Sequence, residues 1–222
     1  MIELAVLDIA GTTVDEGGAV YRVLGAVAEA HGAPDPDVRP WMGADKREAL
    51  AALLGVARDD PRAAGAHAAF VSELVAAYAA DPPRPLPGVP EALAALRATG
   101  VRVALTTGFD RQVTEPLLAA VGWDVPGTLD AIVCADEVDT GRPAPDMIRE
   151  AMARTGITDP AHVLVAGDTV LDVRAGLAAG AGLVVAVLTG AQEAAELRAA
   201  GPTRVLSGVA EVPALLAAAA HR

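Results

Sequence analysis

The chain has 222 residues, 29 acidic and 17 basic side chains, a formal net charge of -12 and a pI near 4.6, which excludes the clustered Lys and Arg that nucleic-acid binding requires. With 53% hydrophobic and 21% charged residues it can bury a substantial core in one domain or one and a half, and disorder is excluded. Cys134 is the sole cysteine, so an internal disulfide is excluded and a reducing compartment is expected.

The first apolar run, residues 3–9, lacks the basic start of a signal peptide and reads as a buried strand. The longest apolar runs, such as residues 212–220, fall short of the roughly 20 residues of a spanning helix, so a cytoplasmic protein with no membrane or nucleic-acid partner is expected. Residues 17–84 contain three helical patterns and no convincing strand. The first carries Val20, Val23, Leu24, Val27 and Ala30 on one face and stops at Gly32-Ala33-Pro34. The second opens at Trp41-Met42-Gly43-Ala44-Asp45-Lys46, with Asp45 and Glu48 spaced as a capping box. The third, residues 63–80, carries Phe70, Val71, Leu74, Val75 and Tyr78. A stiff proline-rich linker, 81–87, leads back.

Beyond it, strands at 101–107, 162–167 and 183–188, and a weaker one at 131–134, alternate with helices at 89–99, 110–121, 146–155 and 169–179. Two more helices, 191–200 and 212–220, close the chain. The alternation predicts an α/β fold, a Rossmann-like doubly wound parallel sheet. Residues 1–16 and 85–222 form the core domain, and 17–84 an inserted α-helical cap domain.

Ligands of such sheets bind beyond the carboxyl ends of the strands, and four ends carry polar residues. The first gives Asp8 and a Gly11-Thr12-Thr13 turn whose N–H groups could hold an anion. The second gives Thr106-Thr107-Gly108, a hydroxyl and amides at a helix start, suited to phosphate. The weak strand leads to Gly141-Arg142-Pro143, a cation in a rigid turn. The next gives Gly167-Asp168-Thr169 and then Asp172, two carboxylates four residues apart and so on one helical face. Carboxylates at this density suit Mg2+, with a phosphoryl group completing the charge balance and Asp8 placed for in-line attack. Singly, these pieces read equally well as a helix cap, a plain turn and a surface turn.

That order resembles the haloacid dehalogenase superfamily of phosphoryl-transfer enzymes over most of the chain. The resemblance implies that Asp8 is a nucleophile forming an aspartyl-phosphate and that Thr106 binds the phosphoryl group. It puts Arg142 in place of the usual lysine. Asp8, the Ala10 carbonyl and Asp168 would hold Mg2+, and Asp172 would support the metal or its waters. Gly11, Thr12, Thr107 and Gly108 would surround the phosphoryl group. Most phosphatases of the superfamily carry a general-acid aspartate where this chain has Ala10, and ester hydrolysis without it should lose on the order of 10² to 10⁴ in rate.

Lys46 is the only lysine among seventeen basic residues. An amine can form a Schiff base with an aldehyde, and a guanidinium cannot. The helix dipole favours the neutral amine there, while Asp45 opposes it. With Ala10, Met42-Gly43 and Arg142, this narrows the resemblance to phosphonoacetaldehyde hydrolases and phosphonatase-like relatives, in which an iminium makes the carbon next to phosphorus an enamine leaving group. Met42 would then touch substrate. The phosphonatase pattern has a histidine suited to proton relay where this chain has Ala49, and Ile9 and Trp41 replace its usual Trp and Pro. With neither base present, the Lys46 amine after product release is the expected activator of water. The resemblance also implies a small-molecule phosphonate or phosphate substrate and a homodimer through the apolar face of the first cap helix.

Other readings stand beside this one. Lys46 could bind the far end of a phosphate ester or lie on the surface, and the protein could be a phosphomonoesterase or a non-catalytic phospho-ligand binder. Asp8, Arg142 and Asp168 argue against a pure binder. Of the histidines, His31 lies at a helix end, His67 on the third cap helix, His162 at a strand start and His221 in the tail. None has metal-ligand spacing, and no catalytic role is assigned to them. Trp41 closes the pocket or packs a hinge, Trp123 is packing, and Asp136 lies in a surface turn or on the rim.

Overall fold

A computed structural model of the chain describes residues 1–220; His221 lies outside the described residues. The chain begins with β1 (Leu4–Asp8) and β2 (Val14–Asp15), then α1 (Ala19–Ala30), α2 (Lys46–Leu53), α3 (Pro61–Ala80) and β3 (Arg84–Pro85). There follow α4 (Val89–Ala98), β4 (Arg102–Thr107), α5 (Arg111–Val121), β5 (Ala131–Cys134) and α6 (Asp146–Thr155). The last part is β6 (Val163–Gly167), α7 (Val170–Ala179), β7 (Leu183–Val187), α8 (Ala194–Ala199), β8 (Arg204–Leu206) and α9 (Val212–Ala220).

Six strands pair in parallel in the order β5-β4-β1-β6-β7-β8. The apolar runs are continuous because both faces of the sheet are covered. On β1, Ala5 and Leu7 pack with Leu93 of α4 and Leu117 of α5. Leu4 and Val6 point the other way, onto Met147 and Ile148 of α6. This is the doubly wound α/β fold, and β1 lies between β4 and β6, where the winding reverses and a crevice opens at the carboxyl ends.

The helical cap, α1 to α3, leaves and rejoins the sheet through an antiparallel pair, β2 with β3. The proline-rich linker therefore contains a strand, short and at an edge, where proline is tolerated. Val20, Leu24 and Val27 of α1 are buried, as are Phe70 and Leu74 of α3, in one apolar cluster. The α1 face expected to meet a second copy is thus covered within the chain. No apolar run reaches 20 residues, but α3 has 20 residues in all and is long and apolar enough to cross a membrane by length and composition, although Arg62, Ser72 and Glu73 interrupt it. In the fold it packs against α1, α2 and α5.

Other departures are at element ends. Asp110 and Thr169 are N-caps rather than helical residues, since their side chains accept bonds from Val113 N and Asp172 N. Glu193 caps α8, which is shorter than the predicted helix. His162 ends a short turn before β6. The predicted set lacks β8, a three-residue edge strand starting at exposed Arg204. Phe70 is 1% exposed at the centre of the cap, so Phe70→Ala should cost about 3–5 kcal/mol in chemical denaturation.

Candidate active site

Asp8 ends β1 and lies beside Thr106 of β4 in the register of the sheet. Arg142, 5% exposed, reaches across both strand ends from the loop before α6. Its Nη1 meets Asp8 Oδ1 at 2.6 Å, its Nη2 donates to Thr106 Oγ1 at 2.8 Å and to the Thr106 carbonyl at 3.0 Å, and its Nε meets Asp172 Oδ1 at 2.9 Å. Asp172 is held by a capping box: its Oδ2 accepts from Thr169 N at 3.1 Å and Thr169 Oγ1 at 2.5 Å. Both of its oxygens are engaged, so the bonds of Asp172 fix the arginine rather than leaving it to serve only a metal or its waters. Asp168 precedes the N-cap, so the expected common helical face does not exist. The cap bends the chain so that the carboxylates of Asp8, Asp168 and Asp172 lie within 4.8 Å of one another.

Burial dominates the electrostatics. It raises Asp8 to about 6, with Asp172 adding repulsion and Arg142 opposing. Asp168 is pushed well above the carboxylate range by burial first, then by Asp8 and Asp172. Arg142 is raised, because attraction to Asp172 and Asp8 outweighs its own desolvation. Three crowded carboxylates favour a further cation, and hard oxygen donors suit a divalent one. The donor set therefore fits the metal that the strand-end pattern implies.

Lys46, the first residue of α2, is 4% exposed. It lines a small cavity of about 20 Å³ together with Asp8, Ala10, Tyr21, Thr107 and Arg142. That volume holds about one water. Its Nζ donates to the Ala44 carbonyl at 2.6 Å and lies 5.9 Å and 5.6 Å from the ring centres of Tyr21 and Phe109. Burial lowers its amine to about 8, against the pull of Asp8. Desolvation therefore does most of what the helix dipole was expected to do. About one amine in ten is then neutral at pH 7, against about one in three thousand at the ordinary value of 10.5.

The cap loop presses directly on the core. A β-carbon on Gly108 would collide with the Ala44 carbonyl, and one on Gly43 would collide with Thr169 Oγ1. Gly43, at φ 82, also has the left-handed backbone that glycine favours.

The other expected residues are distributed unevenly. Thr107 and Gly108 line the same small cavity, and the Thr107 hydroxyl accepts from Phe109 N at 3.1 Å. The turn amides expected to hold an anion are engaged: Gly11 N donates to Val14 O, and Thr12 N to Ile9 O. The Thr12 hydroxyl is bonded to Asp168 Oδ1 at 2.8 Å. Met42 lines a separate outer groove with Arg39 and Arg174, because the turn at Arg39–Trp41 carries it past the cavity. Trp41 packs against the apolar core. Cys134 is buried with its thiol pushed up to about 12, an inert position. Tyr21 and Phe109 were missed. Tyr21 is one residue off the apolar stripe of α1 and carries no motif; its hydroxyl accepts from Gly43 N at 3.3 Å.

Comparison with known proteins agrees with this geometry. A family model described as haloacid dehalogenase-like hydrolase matches residues 2–180. A phosphonoacetaldehyde hydrolase-like protein of Syntrophobacter fumaroxidans is 33% identical over 83% of this chain and 72% of its own. An N-acetylmuramic acid 6-phosphate phosphatase of Pseudomonas aeruginosa is 29% identical over 81% of this chain and 79% of its own. Among solved structures, a phosphonoacetaldehyde hydrolase-like protein from Oleispira antarctica superposes with a TM-score of 0.84, at 22% identity, over 100% of this chain and 93% of that one, a likeness of fold. With its polar strand ends, its helical cap and a family match over most of its length, this chain belongs to the haloacid dehalogenase-like hydrolases.

Proposed function

We propose that the protein is a Mg2+-dependent hydrolase that cleaves the carbon–phosphorus bond of phosphonoacetaldehyde or a close analogue, through an imine on Lys46 and a phosphoryl intermediate on Asp8. The observation that carries this reading is Lys46: a sole lysine, buried, its amine lowered to about 8, in the wall of the cavity that Asp8 lines.

The neutral Nζ adds to the aldehyde carbon, and uptake of one proton with loss of water leaves an iminium. An Asp8 oxygen attacks phosphorus in line. The carbon–phosphorus pair becomes the C=C bond of an enamine, and the C=N pair returns to nitrogen. The leaving group is then uncharged, so no proton donor is needed at Ala10. Protonation of the enamine carbon and hydrolysis of the imine release acetaldehyde and restore Lys46. Water attacks the phosphorus of the Asp8 acyl phosphate, giving up a proton to the freed amine, and phosphate leaves. The sum is phosphonoacetaldehyde plus water giving acetaldehyde plus phosphate. Arg142, fixed by Asp172 and Thr106, steadies the phosphoryl oxygens. Mg2+, held by Asp8, Asp168 and the Ala10 carbonyl, would add neutralising charge at those oxygens.

The likeness to the Pseudomonas phosphatase favours a second reading, hydrolysis of a small phosphate ester. Reductive trapping separates the two. With phosphonoacetaldehyde and borohydride, intact mass and peptide mapping should show one adduct, on Lys46, and phosphate release should fall to background in Lys46→Arg. Phosphate release from esters that survives Lys46→Arg, with no adduct on the parent protein, would establish the ester reading instead.

The clamp on Arg142 gives a further expectation. Asp172→Asn keeps an acceptor for Thr169 but removes the charge facing Arg142. Steady-state assays should show kcat lower on the order of 10²-fold, while Lys46 still forms its adduct.

A further inference from the structure

Imine formation moves protons at Lys46, and the small cavity beside Asp8 offers little to carry them. Ala10 and Ala49 have no acid or base, and burial pushes the Tyr21 hydroxyl far up. Lys46 also lines a second cavity of about 300 Å³, between the start of α2, helix α3 and the turns after β4 and β5. That is wide enough for a chain of ordered waters between polar walls.

His67 of α3 lines this cavity, with its Nε2 3.4 Å from Asp110 Oδ2 and its ring stacked on Phe70. Asp110 is itself fixed, since its Oδ1 accepts from Val113 N at 3.3 Å as the cap of α5. A carboxylate that orients an imidazole in a cavity that Lys46 also lines is a base-and-orienter arrangement. The other charged groups on these walls are Arg47, Asp136 and the Asp45–Arg58 pair, which is 3.2 Å apart. Among the described residues lining the two cavities, His67 is the only imidazole, the side chain that exchanges protons most readily near neutral pH.

We propose that His67, oriented by Asp110, is the proton relay of Lys46, working through water in this cavity. The inference rests on the imine reading above. Neutral His67 takes one proton from the Lys46 ammonium. The freed nitrogen pair attacks the aldehyde carbon, the C=O pair moves to oxygen, and the surplus proton on nitrogen passes to that oxygen. The imidazolium then returns its proton to the hydroxyl, which leaves as water while the nitrogen pair closes the C=N bond. Ammonium plus aldehyde become iminium plus water, and His67 ends unchanged.

The His67–Asp110 contact also pins α3 to the start of α5, so the test must move something that a pin would not. The measurement is the rate at which cyanoborohydride traps phosphonoacetaldehyde on Lys46, followed by intact mass between about pH 6 and 9. His67→Gln should slow trapping about 10²-fold, flatten its pH profile, and recover when imidazole is added. Asp110→Asn, which keeps a good N-cap, should shift the profile with a smaller loss. Parental rates and profile in both variants, or a uniform loss that imidazole does not restore, would overturn the relay while leaving the imine intact. If His67→Gln does not fold, an unchanged profile in Asp110→Asn overturns the relay alone. No Lys46 adduct on the parent protein would defeat the imine reading itself, and the relay with it.

Discussion

The site depends on one buried cation, Arg142, held between Asp8 and Asp172. Three carboxylates cannot share so small and dry a volume unless positive charge is built in with them, and a charge removed from water must have its bonds supplied by the fold. The closest bonds to Arg142 come from three places in the core, the end of β1, the end of β4 and the capped start of α7, and its Nη1 also lies 3.5 Å from the Gly43 carbonyl of the cap loop. Parallel strands feeding helices bring those ends to one crevice. The geometry of the site is therefore a product of topology before it is a product of any single motif.

The cap adds what the sheet cannot. Its loop lies on Gly108 through the Ala44 carbonyl, and the same carbonyl accepts from Lys46 Nζ. One carbonyl thus meets both the core and the amine. The cavity, about 20 Å³, has room for about one water. In the proposed chemistry, burial of Lys46 beneath this loop is what lowers its amine toward the neutral, nucleophilic form.

The layout of the sheet was legible in the sequence because buried parallel strands are unbroken apolar runs, and β5, short as it is, still shows one. Asp8, Thr106, Arg142 and Asp168 were legible because they stop those runs. Edge strands such as β8 and β3 bury too little to leave an apolar trace. Met42 and Thr12 show why spacing alone misplaces side chains: a local turn moves Met42 past the cavity, and the Thr12 hydroxyl finds a carboxylate before it can meet a ligand. Asp172 was found for its charge, but its hold on Arg142 lies thirty positions away in the chain and appears only in three dimensions. His67 was unremarkable in the sequence because nothing near it pairs with a histidine; its partner, Asp110, comes from the other side of the cap–core boundary.

The proposed chemistry requires that the fold bury the Lys46 amine beside the Asp8 carboxylate in a partly neutral form. Selective ¹⁵N labelling of lysine gives one side-chain signal, since Lys46 is the only lysine. A pH titration of that signal by NMR should place its midpoint near about 8. A midpoint at or above the ordinary lysine value of about 10.4 would mean a solvated ammonium and would contradict the account.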